Sequence, residues 1–251
     1  MTNTSDSWVR LEIADGIATL TLNRPETLNA MTPDLMATLR DTIKEAEERE
    51  DVRVLVVTGA GRAFSSGGDK DFLNDLNAMS ATQIKNVVYA CFQGAVKALK
   101  LCSKPTIAAV NGAAVGAGCE LALAADFRLA SSDAYFLESW VQLGIIAPLG
   151  GMTLLPQLIG LGRASEMLML GRKVGGEEAE RIGLVTRSVA TAEFPGEVAR
   201  LARQLADGPP LAYQVFKEGL RRGAETSLAA EWESNLHAQA ILIGSDDFAE
   251  A

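Results

Sequence analysis

The chain has 251 residues, of which 48% are hydrophobic, so it can bury a large core in one domain or in one domain with a small appendage. Its 23 Lys and Arg and 32 Asp and Glu give a net charge of −9, and the longest basic cluster is Arg221 and Arg222 beside Lys217. Binding to a phosphate backbone requires clustered basic residues, so this composition argues against a nucleic-acid partner.

The N-terminal residues and the cysteines indicate a cytoplasmic protein. Residues 1–7 have neither the basic start nor the apolar run of a signal peptide. The most apolar stretch, residues 106–125, is interrupted by Asn111, by glycines and by Glu120, which argues against a membrane span. The three cysteines show no CxxC spacing, so we expect free thiols, no disulfide framework and no metal site.

The first part of the chain predicts a hairpin, a helix and a strand. Apolar residues alternate over residues 9–13 and 18–22, and Asp15-Gly16 between them supplies the positive-φ pair of a tight turn. Thr32-Pro33 predicts a helix start, as cap and first-turn proline. The β-branched run at residues 52–58 then predicts a buried strand.

The middle of the chain repeats this alternation of helices and strands. Apolar residues at helical spacing over residues 84–99 predict a helix, and residues 105–110 predict a strand. A helix is predicted from Cys119 to Ala125, followed by strand signals at residues 127–130 and 134–137. Strands separated by helices imply parallel pairing, with helices covering the sheet.

The C-terminal part has a different pattern. From about residue 150 the sequence predicts short helices with one strand near residues 184–189, and a helical end that breaks at residues 208–210. We therefore expect an α/β core over residues 1–190 and a helical part over residues 191–251.

Two glycine-rich loops follow predicted strands, at residues 61–69 and 111–120. In a parallel sheet both loops lie at the carboxyl ends of strands, where ligands bind in open α/β folds. Glycine allows close approach of the backbone, and the first N–H groups of a following helix can hold an oxyanion. Spacing alone leaves open that each loop is an ordinary tight turn. Neither loop matches GxxxxGK[ST] or GxGxxG.

Glu120 is the one carboxylate in a run of small and apolar residues at the start of a predicted helix. A glutamate that burial desolvates has a raised pKa and can exchange protons near neutral pH. The alternative is a first-turn glutamate that satisfies the N–H groups of its own helix. The residues by themselves leave both interpretations open.

Five segments carry a family pattern in a single order along the chain. They are NRP at residues 23–25 with LNAM at residues 28–31, RAFSSGGD at residues 62–69, SKPTIAAVNGAAVGAGCELALAAD at residues 103–126, LGIIAP at residues 143–148 followed by two glycines, and GLV at residues 183–185. This set resembles the signature of the enoyl-CoA hydratase/isomerase (crotonase) superfamily and covers nearly the whole chain.

The resemblance implies an α/β fold of the crotonase (ClpP-like) type, a spiral of ββα units with a helical C-terminal part. It also implies an acyl-CoA thioester substrate, with Glu120 as acid/base and the N–H groups of Gly68 and Ala117 as oxyanion hole. No cofactor is expected, because CoA is part of the substrate. The residues expected to bind substrate or CoA are Arg24, Leu28, Ala30, Ser66, Gly68, Asp69, Gly116 and Trp140.

One position departs from the family pattern. Hydratases of the family hold water with two glutamates, and the second one normally lies four residues before Gly144, where this chain has Trp140. Glu138 could substitute, because residues 138 and 140 point to the same side of an extended segment; an exposed strand-end carboxylate is the alternative. Otherwise Glu120 works alone as an isomerase base, or Trp140 stacks on a flat acyl group or packs in the core.

The resemblance therefore favours a lyase that hydrates an enoyl-CoA, or an isomerase of the same family. The alternative is a CoA-ester-binding member without hydratase activity. The expected assembly is a homotrimer or a dimer of trimers. Relatives usually continue past residue 251 with a basic segment. We therefore expect either that this protein lacks the segment or that the chain is truncated. Without the segment, the CoA phosphates would meet Arg24 or Lys70.

Overall fold

The computed structural model describes residues 7–245 and residue 248. Ten strands are present in this part of the chain: β1 (Val9–Ala14), β2 (Ile17–Leu22), β3 (Val54–Gly59), β4 (Ala63–Ser65), β5 (Thr106–Val110), β6 (Ala113–Val115), β7 (Phe127–Ser131), β8 (Tyr135–Leu137), β9 (Val174–Gly175) and β10 (Arg187–Val189). The α-helices of the described residues are α1 (Pro33–Glu48), α2 (Lys70–Asp75), α3 (Ala81–Val87), α4 (Gly94–Leu101), α5 (Ala117–Ala124), α6 (Gly151–Leu170), α7 (Gly176–Arg181), α8 (Phe194–Ala206), α9 (Pro210–Gly223) and α10 (Leu228–Ile243).

The strands form two sheets, and the chain passes repeatedly from one sheet to the other. The larger sheet has the order β1-β2-β3-β5-β7-β10, and the smaller has the order β4-β6-β8-β9. Three successive units, β3-β4, β5-β6 and β7-β8, each place their first strand in the larger sheet and their second in the smaller one. Within each sheet these strands pair in parallel. The predicted α/β spiral of ββα units is confirmed.

The hairpin turn and the helix cap predicted from short sequence patterns are both present in the structure. Asp15 and Gly16 adopt φ values of 50° and 78° in the hairpin turn between β1 and β2. Thr32 caps α1, and its hydroxyl accepts a hydrogen bond from the N–H of Leu35 at 3.2 Å. Both features can be predicted from neighbouring residues, because turns and caps are determined within about one helical turn of the chain.

Two predicted elements differ from the structure. The helix predicted over residues 84–99 contains a π-helical turn at Val88–Gln93 between α3 and α4. The strand predicted near residues 184–189 is shorter than expected and consists of β10 alone. The N–H groups of Leu184 and Val185 both donate to Ala179 O near the end of α7, so these two residues do not pair with a neighbouring strand.

The core lies on both faces of the larger sheet. Helices α1, α4 and α5 cover one face, while Phe194 and Leu205 of α8 pack on Val56, Ile107 and Leu129 on the other. Helices α9 and α10 pack mainly on each other. Within the described residues, no helix combines the length and the apolar character that crossing a membrane requires.

Candidate active site

The two glycine-rich loops meet where β4 and β6 end side by side. A Cβ atom on Gly67 would lie 2.6 Å from Val115 O, and one on Gly118 would lie 2.7 Å from Ser65 O. Gly67 and Gly116 also adopt positive φ values, 89° and 49°. Only glycine allows the backbones to approach this closely, so the two loops lie directly against each other.

Gly68 and Ala117, one in each loop, carry the backbone N–H groups expected to act as donors. Met31 donates to Gly67 O at 2.7 Å and accepts from Asp69 N at 2.9 Å, which fixes the loop on both sides of Gly68. Ala117 is the first residue of α5 and is fully buried. No hydrogen bond within the described residues uses the N–H of Gly68 or of Ala117. Two unpaired donors beside a helix N-terminus suit a developing negative charge.

Glu120 is completely buried in the first turn of α5. Its Oε1 accepts hydrogen bonds from the N–H groups of Leu149 at 2.9 Å and Gly151 at 2.7 Å, at the start of α6, while Oε2 has no partner among the described residues. The interpretation as a cap of its own helix is therefore wrong. Burial raises the pKa of Glu120 to about 7, against the opposing effect of these N–H donors.

Glu138 is also completely buried, and neither of its carboxyl oxygens has a partner. Buried and half-buried positions alternate from Tyr135 to Trp140, and both Glu138 and Trp140 are buried. The extended segment expected here stops early, because β8 ends at Leu137 and Trp140 begins a 3₁₀ turn after Ser139. The alternative of an exposed strand-end carboxylate is wrong. Burial, and then the negative charge of Glu120, raise the pKa of Glu138 well above its usual range.

Trp140 is 8% exposed and packs in the core at the wall of this site. Its indole N–H faces both carboxyl groups and lowers the pKa of each, although it reaches hydrogen-bond geometry with neither. The structure therefore brings together the three residues on which the sequence left alternatives open.

The residues expected to bind CoA lie together beside the first loop. Ser66 N donates to Leu28 O at 2.9 Å, and the Arg24 guanidinium donates to Ala30 O at 2.8 Å and to Asp69 at 2.9 Å. Asp69 also caps α2. Arg24 is thus engaged within the protein and stacks over Trp8, 5.2 Å from the ring centroid, whereas Lys70 is exposed.

Sequence reasoning missed the turn that holds Glu120. Leu149 and Gly151 supply both of its hydrogen bonds, and a Cβ atom on Gly151 would lie 3.0 Å from Glu120 Oε1. The adjacent Gly150-Gly151 pair was the available signal, but it does not say which side chain it receives. Cys119, whose thiol faces Glu138, was also missed; burial raises its pKa well above the usual range.

Known proteins resemble the chain over nearly its whole length. The sequence model of the family described as enoyl-CoA hydratase/isomerase matches residues 12–251. A crotonyl-CoA hydratase of Syntrophomonas wolfei is 36% identical over 219 residues, 87% of this chain and 83% of the relative. A 4-chlorobenzoyl coenzyme A dehalogenase-2 of an Arthrobacter species is 31% identical over 253 residues, 100% of this chain and 91% of the relative.

The fold comparison agrees with the sequence comparison. The crystal structure of an enoyl-CoA hydratase from Bacillus anthracis superposes with a TM-score of 0.91 at 29% identity, covering 97% of this chain and 94% of that one. Because the relatives include a hydratase and a dehalogenase, the reaction has to be argued from the residues of this site.

Proposed function

Because the chain belongs to the enoyl-CoA hydratase/isomerase family, we propose that it binds an enoyl-CoA thioester and adds water across the α,β double bond. The observation that carries the proposal is the buried pair of carboxyl groups, Glu120 and Glu138, beside two free backbone N–H groups. Hydration needs a base, an acid and an oxyanion site, and these four groups can supply all three.

The N–H groups of Gly68 and Ala117 would hold the thioester oxygen. As water adds at Cβ, the electron pair of the double bond moves toward the thioester carbonyl, and negative charge develops on its oxygen. Two preorganised donors stabilise that charge more than they stabilise the neutral carbonyl, which is what accelerates the reaction. The CoA portion would extend along the residues grouped around Arg24 and Ser66.

The surroundings of the two carboxyl groups support different roles for them. Glu120 receives two backbone N–H bonds and Glu138 receives none, so the negative charge of the pair is better stabilised on Glu120. Ionised Glu120 takes a proton from the water whose oxygen bonds to Cβ, and neutral Glu138 gives its proton to Cα. Transfer of the proton from Glu120 to Glu138 restores the starting state.

Isomerisation is the second candidate function. Glu120 Oε2 is a free carboxyl oxygen on a buried residue, and a single base there could move a proton from Cγ to Cα without water. This reaction uses the same oxyanion site and needs no acid at Glu138.

Purified protein incubated with crotonyl-CoA is expected to form 3-hydroxybutyryl-CoA, measured by chromatography with mass detection. Glu138→Gln removes the acid and is expected to lower kcat for hydration about 10²-fold, since general acid catalysis typically contributes that much.

Isomerisation is the function if two results are found together. The wild-type protein would hydrate no enoyl-CoA, and Glu138→Gln would isomerise a 3-enoyl-CoA at the wild-type rate. Tight binding of both esters without turnover would contradict hydration and isomerisation alike, and would favour a CoA-ester-binding protein without enzymatic activity.

The same proposal includes assembly as a homotrimer or a dimer of trimers. Helices α9 and α10 expose large apolar side chains, among them Phe216 at 63%, Leu220 at 77% and Leu236 at 71%. A surface of this kind usually marks an interface. Mass photometry is expected to give three or six times the 26.6 kDa of one chain, and a single-chain mass at micromolar concentration would contradict it.

A cytoplasmic location completes the proposal. Its support is that Cys91, Cys102 and Cys119 are all free thiols, two of them buried.

A further inference from the structure

Four buried polar atoms of the site have no hydrogen-bond partner among the described residues. They are Oε2 of Glu120, both carboxyl oxygens of Glu138 and the indole Nε1 of Trp140. A buried polar atom left unpaired destabilises the folded protein, so each one needs an explanation such as a bound water or a catalytic role. The indole acts on the pKa of both carboxyl groups and Glu120 acts on the pKa of Glu138, so the three side chains are neighbours and we treat them as one unit.

The donors and acceptors of this unit balance only in certain protonation states. With both carboxyl groups ionised, the side chains of the described residues offer two donors, the indole N–H and the weaker Cys119 thiol, to three acceptor oxygens, and two like charges are buried together. With one proton on the pair, neutral Glu138 and Trp140 each supply one donor, and each carboxyl group keeps an acceptor. Trp140 contributes a donor that cannot ionise at any relevant pH.

Gly116 contacts the Trp140 ring and the backbone segments that carry Glu120 and Glu138. The ring carbons Cε2 and Cζ2 of Trp140, on the edge that carries the N–H, lie 3.5 Å from the Cβ position of Gly116. Gly116 O accepts from Glu120 N at 3.0 Å, and Gly116 N donates to Leu137 O at 2.7 Å, next to Glu138. The indole is 8% exposed and is held against the backbone that positions both carboxyl groups.

We propose that Trp140 is a positioning residue whose indole N–H is a donor shared by the carboxyl groups of Glu120 and Glu138, and that it holds this pair with a single proton in the arrangement that hydration needs. The inference rests on the proposed function for its kinetic consequence only. The tryptophan at the position of the family's second glutamate then replaces a proton-exchanging group with a fixed donor, and Glu138 supplies the exchangeable proton.

The kinetic test is Trp140→Phe, which removes the N–H and keeps an aromatic ring in the wall. Besides the indole, the groups that face Glu120 are Glu138, the Cys119 thiol and the N–H groups of Leu149–Gly151. Loss of a donor that favours the ionised form raises the pKa of the pair. We expect the acid limb of kcat/KM to move to higher pH by about one unit, with kcat at pH 7 falling about fivefold and KM little changed.

Tyr89→Phe is the control, because it also removes a hydrogen-bond donor from an aromatic ring, at an exposed position in the π-helical turn. Its pH profile is expected to coincide with that of the wild type. If Trp140→Phe folds and turns over with a wild-type pH profile, the shared-donor role is wrong.

Nuclear magnetic resonance tests the same role without turnover. The chain has three tryptophans, so ¹⁵N labelling gives three indole resonances, which Trp8→Phe and Trp232→Phe assign by elimination even if Trp140→Phe fails to fold. We expect the Trp140 resonance to titrate with a midpoint near the pKa of Glu120, about 7, and to stop titrating in Glu120→Gln. A resonance that stays fixed between pH 5 and 9 overturns the inference. A titrating resonance in a protein that turns over no enoyl-CoA supports the inference and overturns the proposed function instead.

Discussion

Glu120→Gln is expected to lower kcat for crotonyl-CoA hydration about 10³-fold while leaving the affinity for a CoA ester nearly unchanged. The amide cannot take a proton from water, and base catalysis typically contributes 10²- to 10⁴-fold. The amide oxygen can still accept from Leu149 and Gly151, whose N–H groups lie 2.9 and 2.7 Å from Oε1, so the fold around α5 and α6 is retained. Steady-state kinetics with crotonyl-CoA and calorimetric titration with butyryl-CoA measure the two quantities.

Glu177→Gln is the matched control for this experiment, because Glu177 is exposed in the first turn of α7. It is expected to have wild-type kcat. A Glu120→Gln protein that keeps more than a tenth of the wild-type kcat would remove Glu120 from the reaction. Equal loss of turnover and of CoA-ester affinity would point to a local collapse of the site.

Ala117→Pro is expected to lower kcat by about 10²- to 10³-fold, which is the effect of deleting one oxyanion donor in other enzymes. Proline replaces the N–H of residue 117 by a ring carbon on the nitrogen, so it removes the donor and also crowds the position proposed for the thioester oxygen. Ala117 is the first residue of α5, where proline is tolerated because that N–H has no helical partner. Kinetics at saturating crotonyl-CoA, together with a circular dichroism spectrum that matches the wild type, check the expectation.

Ala81→Pro makes the same substitution at the first residue of α3, which is exposed and follows the Ser80 cap. It is expected to keep wild-type kcat. Folded Ala117→Pro protein with unchanged kcat would show that Ala117 N–H does not meet the thioester oxygen, and the oxyanion site would have to be assigned elsewhere.

Features that depend on near neighbours were predictable from the sequence. The Asp15-Gly16 turn and the Thr32 cap each involve residues within one turn of the chain, and the structure has both. The cap of α2 by Asp69 is of the same kind. The meeting of the two glycine-rich loops was also predictable, because parallel strands place their carboxyl ends at one edge.

Features that depend on distant segments were not predictable. Glu120 could equally have capped its own helix, and only packing places α6 so that residues 29 and 31 positions further along donate to it. The π-helical turn at Val88–Gln93 has no local signal either, because the apolar spacing there suits a regular helix.

The sequence by itself determined the ββα order, the two loops and the identity of the acidic residues. Only the tertiary structure decided that Glu138 is buried and that it lies near Glu120 and Trp140. The physical reason is that alternation along β8 gives the side to which a residue points, whereas burial and pKa depend on what the rest of the chain packs against that side.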